Sequence, residues 1–191
     1  MSVIDSHDRV PLLPDPGTDP LYLQSFEDFI QQVMVGITGL PGAMVRPRWQ
    51  PEAPNMPDAG TDWMAYGIQT TDTDNYPAVV HVDGVDTLYR DETFELMASF
   101  YGTRDEYYAK TLRDGFQIQT NLDTLREAGV AFVESGTITR APSLVKERWL
   151  DKQDITLTFR RRTSRSYPVL NLEFGGIILL TDVGITSSVN L

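Results

Sequence analysis

The sequence predicts an α+β fold, with helices packed against a largely antiparallel sheet. Three observations lead there. Segments with helical spacing of apolar residues are few and separated, strand-like alternation fills most of the remainder, and the order helix, strands, two helices, strands does not have the regular βα alternation of a parallel sheet. No internal repeat of solenoid or propeller period is present. The 191 residues fit one domain with extensions, and 41% hydrophobic content is enough for a continuous core.

Residues 1–20 hold four prolines and four aspartates with little periodic hydrophobicity, so they read as a flexible N-terminal arm that orders on a neighbour. Residues 21–191 then form the single domain. Its first helix starts at Ser25, an N-cap type, carries Phe26, Phe29, Ile30, Val33 and Ile37 on one face, and stops at Gly39 before Pro41. Residues 41–62 contain five prolines and predict a long extended loop around MVRPRWQ, a length that assembly proteins use to reach neighbours.

Strands follow at WMAYGIQT (63–70), AVVHV (78–82) and TFELMASFY (93–101). In the last, Phe94, Leu96, Ala98 and Phe100 alternate with polar or mixed positions, giving one well-buried face. Asp83-Gly84 suits the turn between strands, and Arg90-Asp91 competes with it as a reversal point. Thr103 and Glu106 have capping-box spacing before a helix from about Arg104 to Phe116, and a shorter helix runs from an Asn121 cap to Ala128, closed by Gly129. The remaining strands are VAFVESGTITR (130–140), RWLDKQDITLTFRRR (148–162) and, past Tyr167-Pro168, VLNLEFGGIILLT (169–181).

Composition excludes several chemistries. There is no cysteine, which removes disulfides, thiolate metal sites and thiol nucleophiles. The two histidines, His7 and His81, lack HxxxH or HExxH spacing, and a strand histidine such as His81 reads as structural or solvent-exposed before it reads as a general base. The segment DTDNYPAVVHVDG has neither the carboxylate spacing nor the closing Glu of a calcium loop, and no GxGxxG or GxxxxGK[ST] cradle exists. No cofactor or metal is expected. A carboxylate-dependent enzyme using Asp72, Asp74, Asp83 and Glu95 stands as the alternative from another class. No apolar run reaches the roughly 18 residues of a membrane span and the N-terminus has no signal-peptide h-region, so a soluble chain made in the host cytoplasm is expected.

Charge is the more informative property. The net charge is −11, yet residues 1–100 carry 4 basic and 16 acidic side chains while residues 101–191 carry 12 and 11. Such a split can guide head-to-tail association between copies, or can simply solvate loops. The arginines cluster at the end of one strand, at Arg160, Arg161, Arg162 and Arg165. That cluster has three readings: pairing with an acidic protein partner, a solvated strand end that resists edge aggregation, or passing contact with DNA phosphates. Two Arg-Trp pairs add to it. Arg46, Arg48 and Trp49 in RPRWQ join the candidate protein interface, whereas Trp149 in KERWLD is expected in the core.

The ordered set VRPRWQPEAPNMPDAGTDWMAYGI, ELMASFYG, LRDGFQIQTNLDTLREAGVAFVES, VKERWLDKQDITLTFRRR and YPVLNL resembles the phage neck terminator family over roughly residues 25–172. The acidic arm and the tail from about Phe174 lie outside that resemblance. It implies an α+β fold similar to tail-terminator and tail-completion proteins, and a structural subunit of the virion with no catalysis. It also implies a ring, a hexamer matched to a six-fold tail, that caps the tail tube below and joins the head–tail connector above. The sheath is a further contact in a contractile tail, and DNA passes through the lumen without sequence-specific binding. Another connector or tail-completion component of the same particle shares most of these expectations.

Overall fold

In a computed structural model the described residues are 12–16, 24–50, 55–58, 60–145 and 148–169. Helix α1 (Gln24–Thr38) leads into a 3-10 turn (Gly42–Met44) and strands β1 (Val45–Pro47), β2 (Trp63–Thr73), β3 (Ala78–Val82) and β4 (Val85–Tyr101). Helices α2 (Asp105–Gly115) and α3 (Gln119–Glu127) follow, then β5 (Val130–Ser135), β6 (Thr139–Arg140), β7 (Ser143–Val145), β8 (Arg148–Leu150) and β9 (Lys152–Pro168). The fold class is α+β, as the sequence predicts.

The two 17-residue strands β4 and β9 are the spine, hydrogen-bonded to each other from Val85↔Pro168 to Tyr101↔Lys152. Sheet order is β1-β2-β4-β9-β5, with β3 on the free end of β4 and β6 on the start of β9. All pairings are antiparallel except β1 with β2. Period-two alternation places Phe94, Leu96, Ala98 and Phe100 opposite Phe159, Leu157, Ile155 and Gln153, and the apolar members of this set are at most 2% exposed. The helices cover that face. Phe26 of α1 meets Phe94 edge-on at 5.3 Å, Phe116 after α2 meets Phe159 at 5.4 Å, and Leu112 and Leu125 are fully buried. Each such side chain contributes roughly 1.5–3 kcal/mol. The Tyr66 hydroxyl donates to the Glu27 carbonyl at 3.0 Å, and burial together with the Glu27 and Asp28 charges pushes its ionisation well above the ordinary phenol range.

Several sequence expectations are corrected by competing local interactions. Ser25 lies inside α1, which already includes Gln24. The stretch 41–62 is not loop throughout, because Val45 is fully buried and its segment adds a parallel edge strand. Gln31 holds that strand from α1, donating to the carbonyls of Gly42 and Val45. Pro47 is tolerated there since it closes a strand at the sheet edge.

The Asp83-Gly84 turn forms, with φ of 47° and 77° at the two central residues as a two-residue hairpin requires, and β4 runs without reversal through Arg90-Asp91. The Thr103/Glu106 capping box does not form. The Asp62 carboxylate accepts from the Arg104 N–H at 2.9 Å, Asp105 accepts from the Glu106 N–H, and the Glu106 side chain pairs with Lys110 instead. Helix α3 begins at Gln119, and Asn121 donates across to the Gly115 carbonyl.

The predicted strand 148–162 is two elements. β8 pairs with β7 as a separate hairpin, and β9 starts at Lys152. This hairpin lies off the main sheet, so Trp149 is 71% exposed and not in the core. Of the N-terminal arm only 12–16 are described, with the Asp15 N–H donating to the Ser166 carbonyl at 2.8 Å. Of the expected last strand only Val169 lies within the described residues.

Candidate protein interface

The helices occupy one face of the sheet; strand parity sorts the candidate residues onto the other. Arg46 stands opposite Ala65, Arg160 opposite Thr93 and Arg162 opposite Asp91, all on the side away from the Phe94–Phe100 core. Arg161 and Arg165 stand opposite Glu92 and Leu88, on the helix side. The sequence cluster is therefore split by the pleat.

The two groups do different things. Arg161 donates to Glu92 at 2.7 Å, and its guanidinium lies 4.3 Å from the centroid of the Phe26 ring. With the two side chains only 15% and 11% exposed, this pair ties α1 to the spine. On the open face Asp91 accepts from Arg162 at 2.9 and 3.3 Å and from Arg160 at 3.4 Å. The Arg162 hydrogen bond is the main cause that holds the Asp91 carboxyl below the usual carboxylate range, with the Arg162 and Arg160 charges adding to it. The same bond raises Arg162. One carboxylate holds two guanidinium groups that are 59% and 66% exposed, so both stay within reach of a partner, with Asp72 across Thr93 from Arg160 on the same face.

At the other end of the open face, Arg48 donates to the fully buried Ser99 hydroxyl, which donates in turn to Asp154, and Lys152 pairs with Asp154 at 2.8 Å. The Arg48 Nε has no hydrogen-bond partner among the described residues. Trp49 lies flat over Gly67, whose missing side chain makes the approach possible: a Cβ there would come within 2.5 Å of the indole. The outer side of that ring stays in solvent, the residue being 59% exposed. Arg46 donates to the carbonyls of Ala43 and Asn55 and approaches the Trp63 ring, itself stacked on Tyr101 at 4.2 Å. Arg46, Arg48, Trp49, Arg160 and Arg162 thus share one surface.

The carboxylates of the enzyme alternative are distributed along strands. Asp83 sits in the hairpin turn, Asp72 is opposite Thr93, Asp74 accepts from the Tyr76 N–H, and Glu95 is paired with Thr70 and Thr158. His81 pairs with Asp86 at 2.6 Å across the β3–β4 hairpin, both well exposed. Among the described residues no three of His, Asp and Glu gather in a metal-ligating group.

A family model described as phage neck terminator protein matches residues 24–182, well over half the chain. The chain belongs to the phage neck terminator family. The match begins after the acidic arm and extends beyond the 25–172 read from the sequence, into the tail that followed Phe174. No curated protein matches the chain. Membership makes this a structural protein of the phage neck and a virion component that assembles with other head and tail proteins. No helix among the described residues is long and apolar enough to cross a membrane.

Sequence reasoning missed two surfaces of this neck terminator. The β7–β8 hairpin presents Leu144 and Trp149, a cross-strand pair 60% and 71% exposed. β3 is exposed at all five positions, and Val79, Val80 and Val82 are 47–59% exposed. The second had a readable signal, since AVVHV is an apolar strand with no lysine or proline inside it to blunt an edge.

Proposed function

We propose that this neck terminator forms a closed ring of identical subunits, six in a six-fold tail, that caps the tail tube and joins it to the head–tail connector without catalysing a reaction. The family match over 24–182 carries the reading. The geometry supports it in one respect. A sheet covered by helices on one face presents Arg46, Arg48, Trp49, Arg160 and Arg162 together on the other, with the guanidinium groups of Arg160 and Arg162 more than half exposed. That face pairs with carboxylates of an adjacent copy or of the neighbouring neck protein, while DNA passes the ring lumen without base-specific contact.

The test is to change Arg160 and Arg162 to Glu, leaving Arg161 in place because it braces α1. Circular dichroism verifies folding, and electron microscopy counts joined heads and tails in particles assembled with the variant. The proposal expects joining to fall several-fold, as juxtaposed like charges oppose docking. Normal joining by the folded variant would remove the arginines from the interface and return them to the role of a solvated strand end.

A further inference from the structure

The paired strands β4 and β9 end together at Val85↔Pro168, and the Val169 N–H donates to the Gly84 carbonyl at 2.9 Å. Past that point the described sheet has no strand for the chain to follow. Gly84 belongs to the turn between β3 and β4, and β3 pairs with β4 alone among the described strands. The turn has two residues, so Val82↔Val85 is the hydrogen-bonded closing pair. By alternation Val80 and Ala78 also bond to β4, while Val79 and His81 direct their N–H and C=O groups to the outer edge. Both faces of that edge carry apolar side chains about half exposed: Val79 stands with Leu88 on the helix side of the sheet, and Val80 with Thr87 on the other. Residues 170–191 lie outside the described chain, and their sequence has its own pattern. Leu170, Leu172 and Phe174 alternate with Asn171 and Glu173, Gly175-Gly176 is a turn signal, and residues 177–181 read IILLT, an uncharged run. A continuous apolar run of that length suits a strand with apolar neighbours on both faces. The family match ends at residue 182 and so takes in the whole run.

We infer that residues 177–181 of one copy add as a strand to the outer edge of β3 in the next copy. Backbone hydrogen bonds to Val79 and His81 set the register, and cross-strand contacts with Val79 and Val80 cover apolar surface on either face. The run of five residues matches the five of β3. An unpaired apolar edge and an uncharged apolar segment are both aggregation hazards in an isolated subunit, and one contact removes both. Residues 170–176 span about 23 Å when extended, enough to leave one subunit and meet the edge of another. Each copy gives one segment and accepts one, so the contact is heterologous, and repeated around a closing rotation it makes a ring. This inference rests on the ring reading and names the segment that joins its members.

The chain has no cysteine, so introduced ones report cleanly. Val80→Cys and Leu179→Cys, at the centre of each segment, are made separately, mixed, and treated with a short bismaleimide, both in solution across a concentration series and in assembled necks. Light scattering follows the mass of the wild-type protein. The inference expects covalent heterodimers from the mixture and a ladder of multimers when one chain carries both cysteines. Ile178→Asp should weaken self-association at least about tenfold without loss of fold by circular dichroism, and association should slow hydrogen exchange at the Val79 and His81 amides. A cross-link within single chains of the double variant, with no heterodimer from the mixture, overturns the exchange in favour of a segment that folds onto its own β3. A ring by light scattering with neither cross-link overturns this contact and leaves the ring in place. Monomers at every concentration, isolated copies in imaged necks and no heterodimer from the mixture remove the ring reading and this inference with it.

Discussion

Strands β4 and β9 pass through two different environments, and the contrast between them separates what holds the fold from what the fold presents. From Phe94 to Phe100 and from Ile155 to Phe159 the shared ladder lies under the helices, and its inward apolar side chains are at most 2% exposed. From Val85 to Asp91 and from Arg162 to Pro168 the same two strands continue past α1 with β3 beside them, and the apolar residues of β3 are about half exposed. Both regions have the same backbone pairing. Among the described residues only the first has a second layer, so hydrophobic burial stabilises one and leaves the other as surface.

The largest effect that sharpens this contrast is in the covered region. Phe159 touches Phe94, Phe116 and Phe132, so Phe159→Ala removes the point where sheet and helices meet. It should cost about 3–5 kcal/mol in denaturant unfolding, whereas Val80→Asp in the extended region should leave the unfolding midpoint of the monomer nearly unchanged. Equal losses at the two sites would erase the distinction.

Adjacent arginines give the next largest effect. Arg161→Glu sets two carboxylates against each other at a mostly buried site and loses the Phe26 contact, with an expected loss of about 3 kcal/mol. Arg162→Glu, one residue on and facing solvent, should lower stability by a small fraction of that. Chemical denaturation of both variants measures the difference, and indistinguishable curves would show that the pleat does not divide the cluster.

The smallest effect is in acid. Asp91 is held below the usual carboxylate range by Arg162, so its ionised form is favoured in the folded state. Its contribution is fully present above the unfolded carboxylate range and is lost as the pH falls through the depressed folded value. Asp91→Asn should therefore slightly flatten the acid limb of a stability–pH profile and leave neutral pH almost unaffected. A steeper acid limb in that variant would contradict the sign.

The covered region was legible in the sequence because burial writes periodicity. Phe94 to Phe100, the apolar face of α1 and the Asp83-Gly84 turn all stand where their spacing predicts. Helix starts were less legible, since Asp62 took the Arg104 N–H from 42 residues away in place of the local Thr103/Glu106 box. The candidate face was half legible. Sequence gathers Arg160, Arg161, Arg162 and Arg165 as neighbours, but alternation sends Arg160 and Arg162 to one side and Arg161 to the other, where Glu92 and Phe26 occupy it. Trp149 was misplaced for a related reason. Among the described strands its own pairs with β7 alone, in a hairpin whose separation from the sheet depends on a break at Asp151 that no local pattern marks.

Single-particle imaging of the purified protein, alone and in assembled necks, tests the central claim most directly. The account predicts closed rings of subunits, with the sheet face opposite the helices and the β3 end of each copy buried against the next subunit or the neighbouring neck protein. Assembled necks in which the chain sits as isolated copies, with that face and the β3 end open to solvent, would contradict it.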